Sequence, residues 1–481
     1  MNRTVKNSII YLIGTIVIAV VSFFSTIILT RYLSEQVYAQ YGLFISFATS
    51  SITVISLGMD TTYTRFFYES GYTPIKYLLK SCAIPAVLLL VYSLLLIEPN
   101  HYLLSYIFGE KISAVFAFIF VAYLILSLFG KFTQLTARMG EFAVNYVSSN
   151  FFSKSGFIIA ILLLRWTIQD ISLNWVIFSF ACGSAFGMLI NLSTLHKIRA
   201  VEKQNGKKVT TKEMLKYGIP QMINNVMMLV IPLAEKLIVR RIAGWQILAI
   251  YTAASVFYTV VALMQSTIDN IWNPLVFQHY EDESTFKPIL HNFGLSVTAI
   301  TVIGMALCIL LRRWLVLILD KSYFEVYLIA PAIMYTACFE IYTIIYAVGI
   351  NTSKKTLHLI ISPIIRLLLS VTLCYLLIPK FGLIGVGLTS LLSVVISKIY
   401  RIIVGFHYYG TNMNEWKIIF LWCICIFISA FVMFSTSFIS DVCVCIFLFL
   451  ICAAVINREG IDLIKNIKKI FFNKKKIKTE A

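Results

Sequence analysis

Two positively charged side chains lie deep inside long apolar segments of the sequence. Lys154 is the twelfth residue of the apolar run 143–164, and Arg366 is the tenth residue of the run 357–378. A charge at a bilayer centre costs about 2.5–3.5 kcal/mol, and a helix rising 1.5 Å per residue places each cation too deep for its stem to reach water. Two such cations attract an anion, and arginine can hold a phosphate through two hydrogen bonds. We predict that they bind a diphosphate; the alternative is that a carboxylate or backbone carbonyls neutralise each one locally.

A second charged group occurs in the stretch PLAEKLIVRR, residues 232–241. Glu235 and Lys236 are neighbours, so on a helix they point about 100° apart and cannot simply pair with each other. Lys236 is close enough to the outer surface for its ammonium to reach it, and we add it to the predicted diphosphate ligands. Glu235 and the deep carboxylate Glu340 are candidates for binding a coupling cation or proton, or else for structural ion pairs.

Polar residues also mark the predicted inner rim of the membrane. Asp60 and Arg65 follow one apolar run, and Asp269 ends another. Asp60 falls on Asn270, the residue after Asp269, at the offset of an internal repeat described below. We predict a cytoplasmic gate at this rim; the alternative is that these are ordinary interfacial residues.

The composition requires that membrane helices position these residues. Apolar side chains make up 59% of the 481 residues, charged ones only 13%, and the mean hydropathy is +0.86. The apolar runs are continuous rather than alternating, which predicts an all-α integral membrane protein and not a barrel. Fourteen spans are predicted, at 8–30, 38–58, 81–97, 114–130, 143–164, 173–195, 217–239, 247–271, 291–311, 326–348, 357–378, 383–406, 416–438 and 441–457.

An internal repeat divides these spans into two halves. Residues 28–47 (ILTRYLSEQVYAQYGLFISF) and 238–257 (IVRRIAGWQILAIYTAASVF) share six identities at an offset of 210. The repeated helices are six spans apart, so both keep the same direction, as in transporters built from parallel repeats. The predicted domains are a six-helix bundle at 1–195, a basic cytoplasmic linker at 196–216, a second six-helix bundle at 217–406, accessory helices at 407–457 and a basic cytoplasmic tail at 458–481.

The remaining composition excludes several classes of function. Most of the 40 Lys and Arg residues fall on the side that holds both termini, which predicts cytoplasmic ends and contact with anionic lipid rather than nucleic acid. All ten cysteines fall in predicted spans without a metal or redox spacing, so we predict no metal site. No phosphate-binding loop of the G-x-x-x-x-G-K-[ST] type and no outer loop long enough for a catalytic domain occur, so we predict that the protein is not an enzyme.

Several segments, taken in order, resemble one family. They are ILTRYLSEQVYAQYGLF, SLGMDTTYTRFF, LKYGIPQMINNV, AEKLIVRRIAGWQILAIYTAAS and LLIPKFGLIGVGLTSLLS. The chain resembles the O-antigen flippases (Wzx-type), a branch of the superfamily that also contains multidrug and toxin extrusion (MATE) antiporters and lipid II flippases. The resemblance covers roughly the first 405 residues. Where the family often has Asp followed by Arg, this sequence has Glu235 and Lys236, which keep the charges but not the arginine fork.

The resemblance implies a fold and a function. The fold would be two six-helix bundles around a central cavity, V-shaped when open, with an additional C-terminal helix pair. The function would be to move undecaprenyl-diphosphate-linked oligosaccharide from the cytoplasmic to the outer leaflet of the bacterial cytoplasmic (inner) membrane by alternating access. The resemblance implies no cofactor beyond a Na+ or H+ gradient. Expected partners are membrane lipids, a glycan polymerase and assembly proteins, and we expect a monomer.

Three other functions remain open at this point. An ion-coupled multidrug antiporter for organic cations would favour deep carboxylates over deep cations. A membrane glycan polymerase or ligase would need a large outer loop. A non-transporting assembly protein would not need charges at the midplane of the membrane.

Overall fold

The computed structural model describes residues 3–98, 101–199, 208–279, 282–346, 348–353, 357–409 and 416–456. In these ranges the regular structure is helical: fifteen α-helices and one 3-10 turn, Lys321–Tyr323. The helices are α1 (Arg3–Tyr32), α2 (Glu35–Ser56), α3 (Met59–Phe66), α4 (Pro74–Leu96), α5 (Tyr102–Phe108), α6 (Ala114–Met139), α7 (Ala143–Thr167), α8 (Leu173–Arg199), α9 (Thr211–His279), α10 (Glu283–Val316), α11 (Val326–Tyr346), α12 (Val348–Thr352), α13 (Leu357–Tyr409), α14 (Trp416–Phe434) and α15 (Phe438–Ile456).

Each of the fourteen predicted spans has a helical counterpart in the described ranges. Nine helices there are long and apolar enough to cross a membrane, or ten if the bent pair α2 and α3 counts as one span. Two of the nine, α9 and α13, contain two predicted spans each and break at Gly244 (φ +81°) and Gly382 (φ +53°). Glycine adopts positive φ at little cost, which explains the breaks. The shorter apolar helices α14 and α15 supply the last two spans.

The helices carry apolar side chains on their outside. Leu94 is 75% exposed and Phe427 is 73% exposed, and many other large apolar side chains are similarly uncovered. Such a surface is unstable in water but suits the hydrocarbon of a bilayer. The protein is therefore a multi-pass membrane protein.

Packing divides the chain into two compact units, Met1–Val256 (unit 1) and Phe257–Ala481 (unit 2). The division falls within α9, beyond its break at Gly244, whereas the predicted domains divide at the linker 196–216. The units reflect which helices pack together, while the predicted domains reflect sequence similarity. The domain limits therefore stay a prediction, and the tail 458–481 lies outside the described residues.

The helix boundaries repeat at the offset found in the sequence. Ser34 separates α1 from α2, and its hydroxyl accepts a hydrogen bond from the backbone N–H of Val37, which caps α2. Gly244, which breaks α9, lies 210 residues after Ser34. The two repeats thus place a helix end at equivalent positions, with a different residue type making each one.

A bend in unit 1 brings the start of α9 against α3. Helices α2 and α3 are bent by 58° around Gly58, whose φ is +71°. The backbone of Gly218 lies so close that a Cβ on Gly58 would be 2.0 Å from its carbonyl oxygen. Thr62 of α3 donates to the carbonyl of Met214 in α9 at 3.2 Å. Paired glycines of this kind let two helices approach closely.

Candidate functional site

The main charged cluster of unit 2 surrounds Glu340 of α11. Arg366 of α13 donates from Nη1 to Oε1 of Glu340 at 2.8 Å, and Tyr258 donates from its hydroxyl to Oε2 at 3.1 Å. Glu340 and Arg366 are both buried. Glu340 and Arg366, which the sequence predicted for different roles, thus lie in direct contact. The sequence analysis considered a carboxylate or backbone carbonyls as a local partner for Arg366, and the structure contains the carboxylate.

The two arms of α13 provide most of this cluster. The break at Gly382 lets the arms pack side by side, and Ser362 of the first arm donates to the carbonyl of Ser397 in the second at 2.9 Å. His358 Nδ1 and the Tyr400 hydroxyl are 2.7 Å apart one helical turn away. Small serine side chains at the contact allow close packing, which brings Arg366 near the second arm.

Sequence reasoning missed two cations on that second arm. Lys398 is buried, and its charge acts on both Glu340 and Arg366; Arg401 in turn acts on Lys398. The predicted span 383–406 placed both near its cytoplasmic end, where a long basic side chain usually reaches water. Helix α13 continues to Tyr409, so Lys398 is about 16 Å of helix from that end. The depth argument that singled out Arg366 applies equally to Lys398 once the helix is measured to its true end.

The deep cation of unit 1 has an uncharged partner. Lys154 of α7 donates a hydrogen bond to the hydroxyl of Ser22 in α1, and it is partly buried. Ser22 in turn donates to the carbonyl of Ile18 at 2.7 Å. Among the described residues no carboxylate forms an ion pair with Lys154, and its role as a diphosphate ligand stays a prediction.

The prediction that Lys236 extends to the outer surface is wrong. Lys236 is buried and donates to the carbonyl of Gly42 and to the hydroxyl of Ser46, each at 2.9 Å. Both acceptors belong to α2, and they hold the ammonium inside unit 1. Its role as a diphosphate ligand stays a prediction.

Glu235 points elsewhere than its neighbour. It is buried, and Tyr251, on the other side of the break at Gly244, donates to its Oε2 at 2.6 Å. Glu235 and Lys236 thus have separate partners within unit 1. Buried carboxylates in membrane helices are candidates for binding a coupling ion, and this role of Glu235 stays a prediction.

The predicted inner rim separates into two ion pairs. Asp60 contacts the ammonium of Lys131 at 2.5 Å, and Arg65 contacts Glu69 at 2.6 Å. Lys131 was not predicted because the span was ended at residue 130, whereas α6 continues to Met139. Asp269 lies in α9, but its side chain is outside the described part of the chain. A gate at this rim stays a prediction, now with Lys131 as the partner of Asp60.

A second buried ion pair in unit 2 was also missed. Arg312 of α10 and Asp441 of α15 contact each other at 2.6 Å, and Arg313 approaches the same carboxylate at 3.4 Å. The predicted spans ended at 311 and began at 441, so these residues were assigned to the membrane surface. The sequence signal was a lone acid in the first turn of α15, the second helix of a very apolar hairpin.

The arrangement favours binding over covalent chemistry. Among the described residues, no group of three His, Cys, Asp or Glu side chains is placed to hold a metal ion. The buried charges are arginines and lysines next to single carboxylates, tyrosines and serines. Such groups can hold an anion and release it.

Solved structures give the fold an independent comparison. The lipid II flippase MurJ in an inward closed conformation matches with a TM-score of 0.70 and 17% identity, over 94% of this chain and 100% of that one. An inward-facing multidrug resistance transporter of the MATE family and MOP superfamily matches with a TM-score of 0.62 and 12% identity, over 84% and 100%. An outward-facing structure of that kind matches at 0.60 and 13%, over 85% and 95%. The fold is therefore MATE-like, as the resemblance implied.

Sequence comparison identifies the family. No curated protein matches the chain significantly. The profile described as polysaccharide biosynthesis protein matches residues 4–278, which is more than half of the chain. Together with the fold, this match confirms the resemblance seen in the sequence. The chain belongs to the polysaccharide biosynthesis protein family.

Proposed function

We propose that the protein is a flippase for undecaprenyl-diphosphate-linked oligosaccharide. It moves the repeat unit of a surface polysaccharide, such as O-antigen, from the cytoplasmic to the outer leaflet by alternating access. The family supports a role in polysaccharide synthesis, and the flippase-like fold supports transport of a lipid-linked glycan.

The observation that carries this proposal is the excess of buried cations. In unit 2 Arg366 contacts the carboxylate of Glu340 and the Lys398 charge acts on both of them, and in unit 1 Lys154 has a hydroxyl partner. Buried cations are costly in a membrane and are usually kept for a function. An anionic substrate such as a diphosphate gives them one, whereas an organic cation does not.

An ion gradient is the proposed energy source. Glu235 and Glu340 are buried carboxylates, each with a tyrosine hydroxyl as hydrogen-bond donor. Either could take up a proton or contact Na+ during the transport cycle.

We further propose the bacterial cytoplasmic membrane as the location, with both termini in the cytoplasm. The excess of Lys and Arg on that side supports this orientation. The partners would be membrane lipids and the polymerase and assembly proteins that use the flipped unit, and the flippase itself would act as a monomer.

The test uses a glycan-producing strain that lacks this gene. The strain receives the wild type, Lys154→Ala, Arg366→Ala or the double variant, and membrane expression of each is checked. Surface glycan and lipid-linked repeat units are then measured. We expect the wild type to restore surface glycan, and the well-expressed variants to leave repeat units unflipped.

Two results would contradict the proposal. If the deletion changes resistance to drugs or organic cations but not surface glycan, the protein is an ion-coupled multidrug antiporter, which the MATE-like fold also accommodates. If the well-expressed cation variants export glycan as the wild type does, the cations do not bind the substrate.

A further inference from the structure

The charges around Glu340 do not balance. Its two carboxylate oxygens are occupied by separate donors, Arg366 at 2.8 Å and Tyr258 at 3.1 Å. Lys398 is only 5% exposed and lies close enough for its charge to act on both Glu340 and Arg366. Within the described part of the chain, the Lys398 ammonium has no hydrogen-bond acceptor. Two buried cations thus share one carboxylate, and one of them makes no direct contact with it.

This imbalance is costly unless something else neutralises it. A buried ammonium without a partner loses its hydration and gains no hydrogen bond in return. An anion carrying two or more negative charges would remove the cost by contacting Arg366 and Lys398 together. A diphosphate has that charge and enough oxygens for both side chains.

Glu340 competes with such an anion for the Arg366 guanidinium. Its Oε1 accepts from Nη1 of Arg366, and its negative charge repels a second anion that approaches the same guanidinium. Tyr258 contacts the other oxygen, Oε2, and gives the carboxylate a hydrogen bond that does not depend on Arg366.

We propose that Glu340 is an internal anion that exchanges with the diphosphate of the substrate. In the substrate-free protein it neutralises Arg366; when substrate binds, the diphosphate takes its place, with Lys398 as a second, previously unassigned ligand. This inference rests on the proposed function and adds the manner of binding and release. In the empty transporter Glu340 returns to Arg366, so this guanidinium keeps a carboxylate partner when the transporter resets.

The exchange predicts opposite effects for two neighbouring side chains. Removing the charge of Glu340 removes the competitor, so an anion binds more tightly but is released more slowly. Removing the charge of Lys398 removes a ligand, so the anion binds more weakly. A merely structural cluster would move both affinities in the same direction, through loss of folding.

The experiment measures binding of inorganic pyrophosphate to the purified full-length protein by calorimetry at constant salt. The variants are Glu340→Gln, which keeps the shape of the side chain and one oxygen as an acceptor, and Lys398→Gln. The matched control is Lys380→Gln, which removes an exposed cation from the same helix. We expect Glu340→Gln to bind about tenfold more tightly, Lys398→Gln about tenfold more weakly, and the control like the wild type.

Several results would overturn the exchange. They are wild-type protein that does not bind pyrophosphate, unchanged or weaker binding by folded Glu340→Gln, or unchanged binding by Lys398→Gln. If Glu340→Gln does not fold, Glu340→Asp replaces it: its shorter side chain reaches Arg366 less well, so binding should again tighten.

Glycan complementation separates this inference from the proposed function. A wild type that restores surface glycan without the expected pattern of affinities contradicts only the exchange. A wild type that shows the pattern but restores no glycan contradicts the proposed substrate. We expect Glu340→Gln to export less glycan than the wild type despite its tighter binding.

Discussion

Arg312 and Asp441 form a fully buried ion pair with two hydrogen bonds in unit 2. Arg312 Nε donates to Oδ2 at 3.0 Å and Nη2 donates to Oδ1 at 2.6 Å, and the two side chains are 0% and 1% exposed. Arg312 also donates to the carbonyls of Val432 and Ser435 at the end of α14, each at 2.8 Å. One arginine of α10 therefore holds the end of α14 and the start of α15, and fixes this hairpin to the rest of unit 2.

The first prediction concerns the stability of this hairpin. Asp441→Asn leaves Arg312 buried without its counter-ion, and breaking a buried pair in this way costs about 3–5 kcal/mol. We expect a clear fall in the thermal unfolding midpoint of the purified protein. Arg312→Met combined with Asp441→Asn should be less damaging than the sum of the two single changes, because no lone charge remains.

An exposed acid provides the control for that experiment. Glu325→Gln removes a carboxylate from the same unit at an exposed position and should leave the unfolding midpoint unchanged. An Asp441→Asn protein as stable as the wild type would show that the pair does not hold the hairpin.

The second prediction concerns the contact between two glycines in unit 1. Gly58→Ala requires a positive φ from alanine and places a methyl group 2.0 Å from the carbonyl oxygen of Gly218. We expect a loss of more than about 2 kcal/mol, from left-handed strain and overpacking together. Gly130→Ala, in the middle of α6 with no atom within 4 Å of the new Cβ, should instead stabilise the protein by about 0.5–1 kcal/mol. Equal effects of the two substitutions on urea or thermal unfolding would contradict this account.

Much of the fold could be predicted from the sequence because membrane helices leave a direct signal. Continuous apolar runs locate each span, and the gap between the predicted spans 217–239 and 247–271 contains the helix break at Gly244. Helix ends were less certain, because a charged residue near the end of an apolar run reads as the start of a loop. That error hid Lys131 and Arg312, which lie inside helices that continue past the apolar run. Lys398 lies inside a predicted span, but too close to the predicted end of that span to count as deep.

The partners of the charged residues could not be predicted. The depth of Lys154 and Arg366 followed from their positions in the sequence. Their partners, a hydroxyl for Lys154 and a carboxylate for Arg366, depend on which helices pack together. Lys236 shows the same limit. Its distance from the end of its span suggested contact with water, and only the packing of α9 on α2 explains why the ammonium turns inward.

The third prediction concerns the predicted gate at the inner rim. Asp60→Lys or Lys131→Asp alone places two like charges in contact within a pair that is mostly buried, with 13% and 31% of the two side chains exposed. We expect each single change to lower stability by more than about 1 kcal/mol and to reduce glycan export. The double exchange Asp60→Lys with Lys131→Asp should recover both, since it restores opposite charges.

Recovery in the double variant is the outcome that matters for this pair. If both single variants export glycan normally at normal membrane expression, the pair has no part in gating. If stability recovers in the double variant but export does not, the position of the negative charge, and not the pair, is what transport requires.

The fourth prediction separates structure from function at Lys236. Its two acceptors also bond to each other, because the Ser46 hydroxyl donates to the carbonyl of Gly42 at 3.1 Å. Lys236→Met therefore removes a buried charge without leaving either acceptor unsatisfied, and replacing a buried charge by an apolar side chain is often neutral or stabilising. We expect the thermal unfolding midpoint to rise, or to fall by no more than the equivalent of about 1 kcal/mol. Glycan export should fall, because the proposed diphosphate ligand is lost.

Lys380→Met, which removes an exposed cation, is the matched control and should change neither the midpoint nor the export. If Lys236→Met instead unfolds the protein, the lysine is a structural tie between α2 and α9. A stable variant that loses transport would mean that this buried ammonium is retained for the substrate.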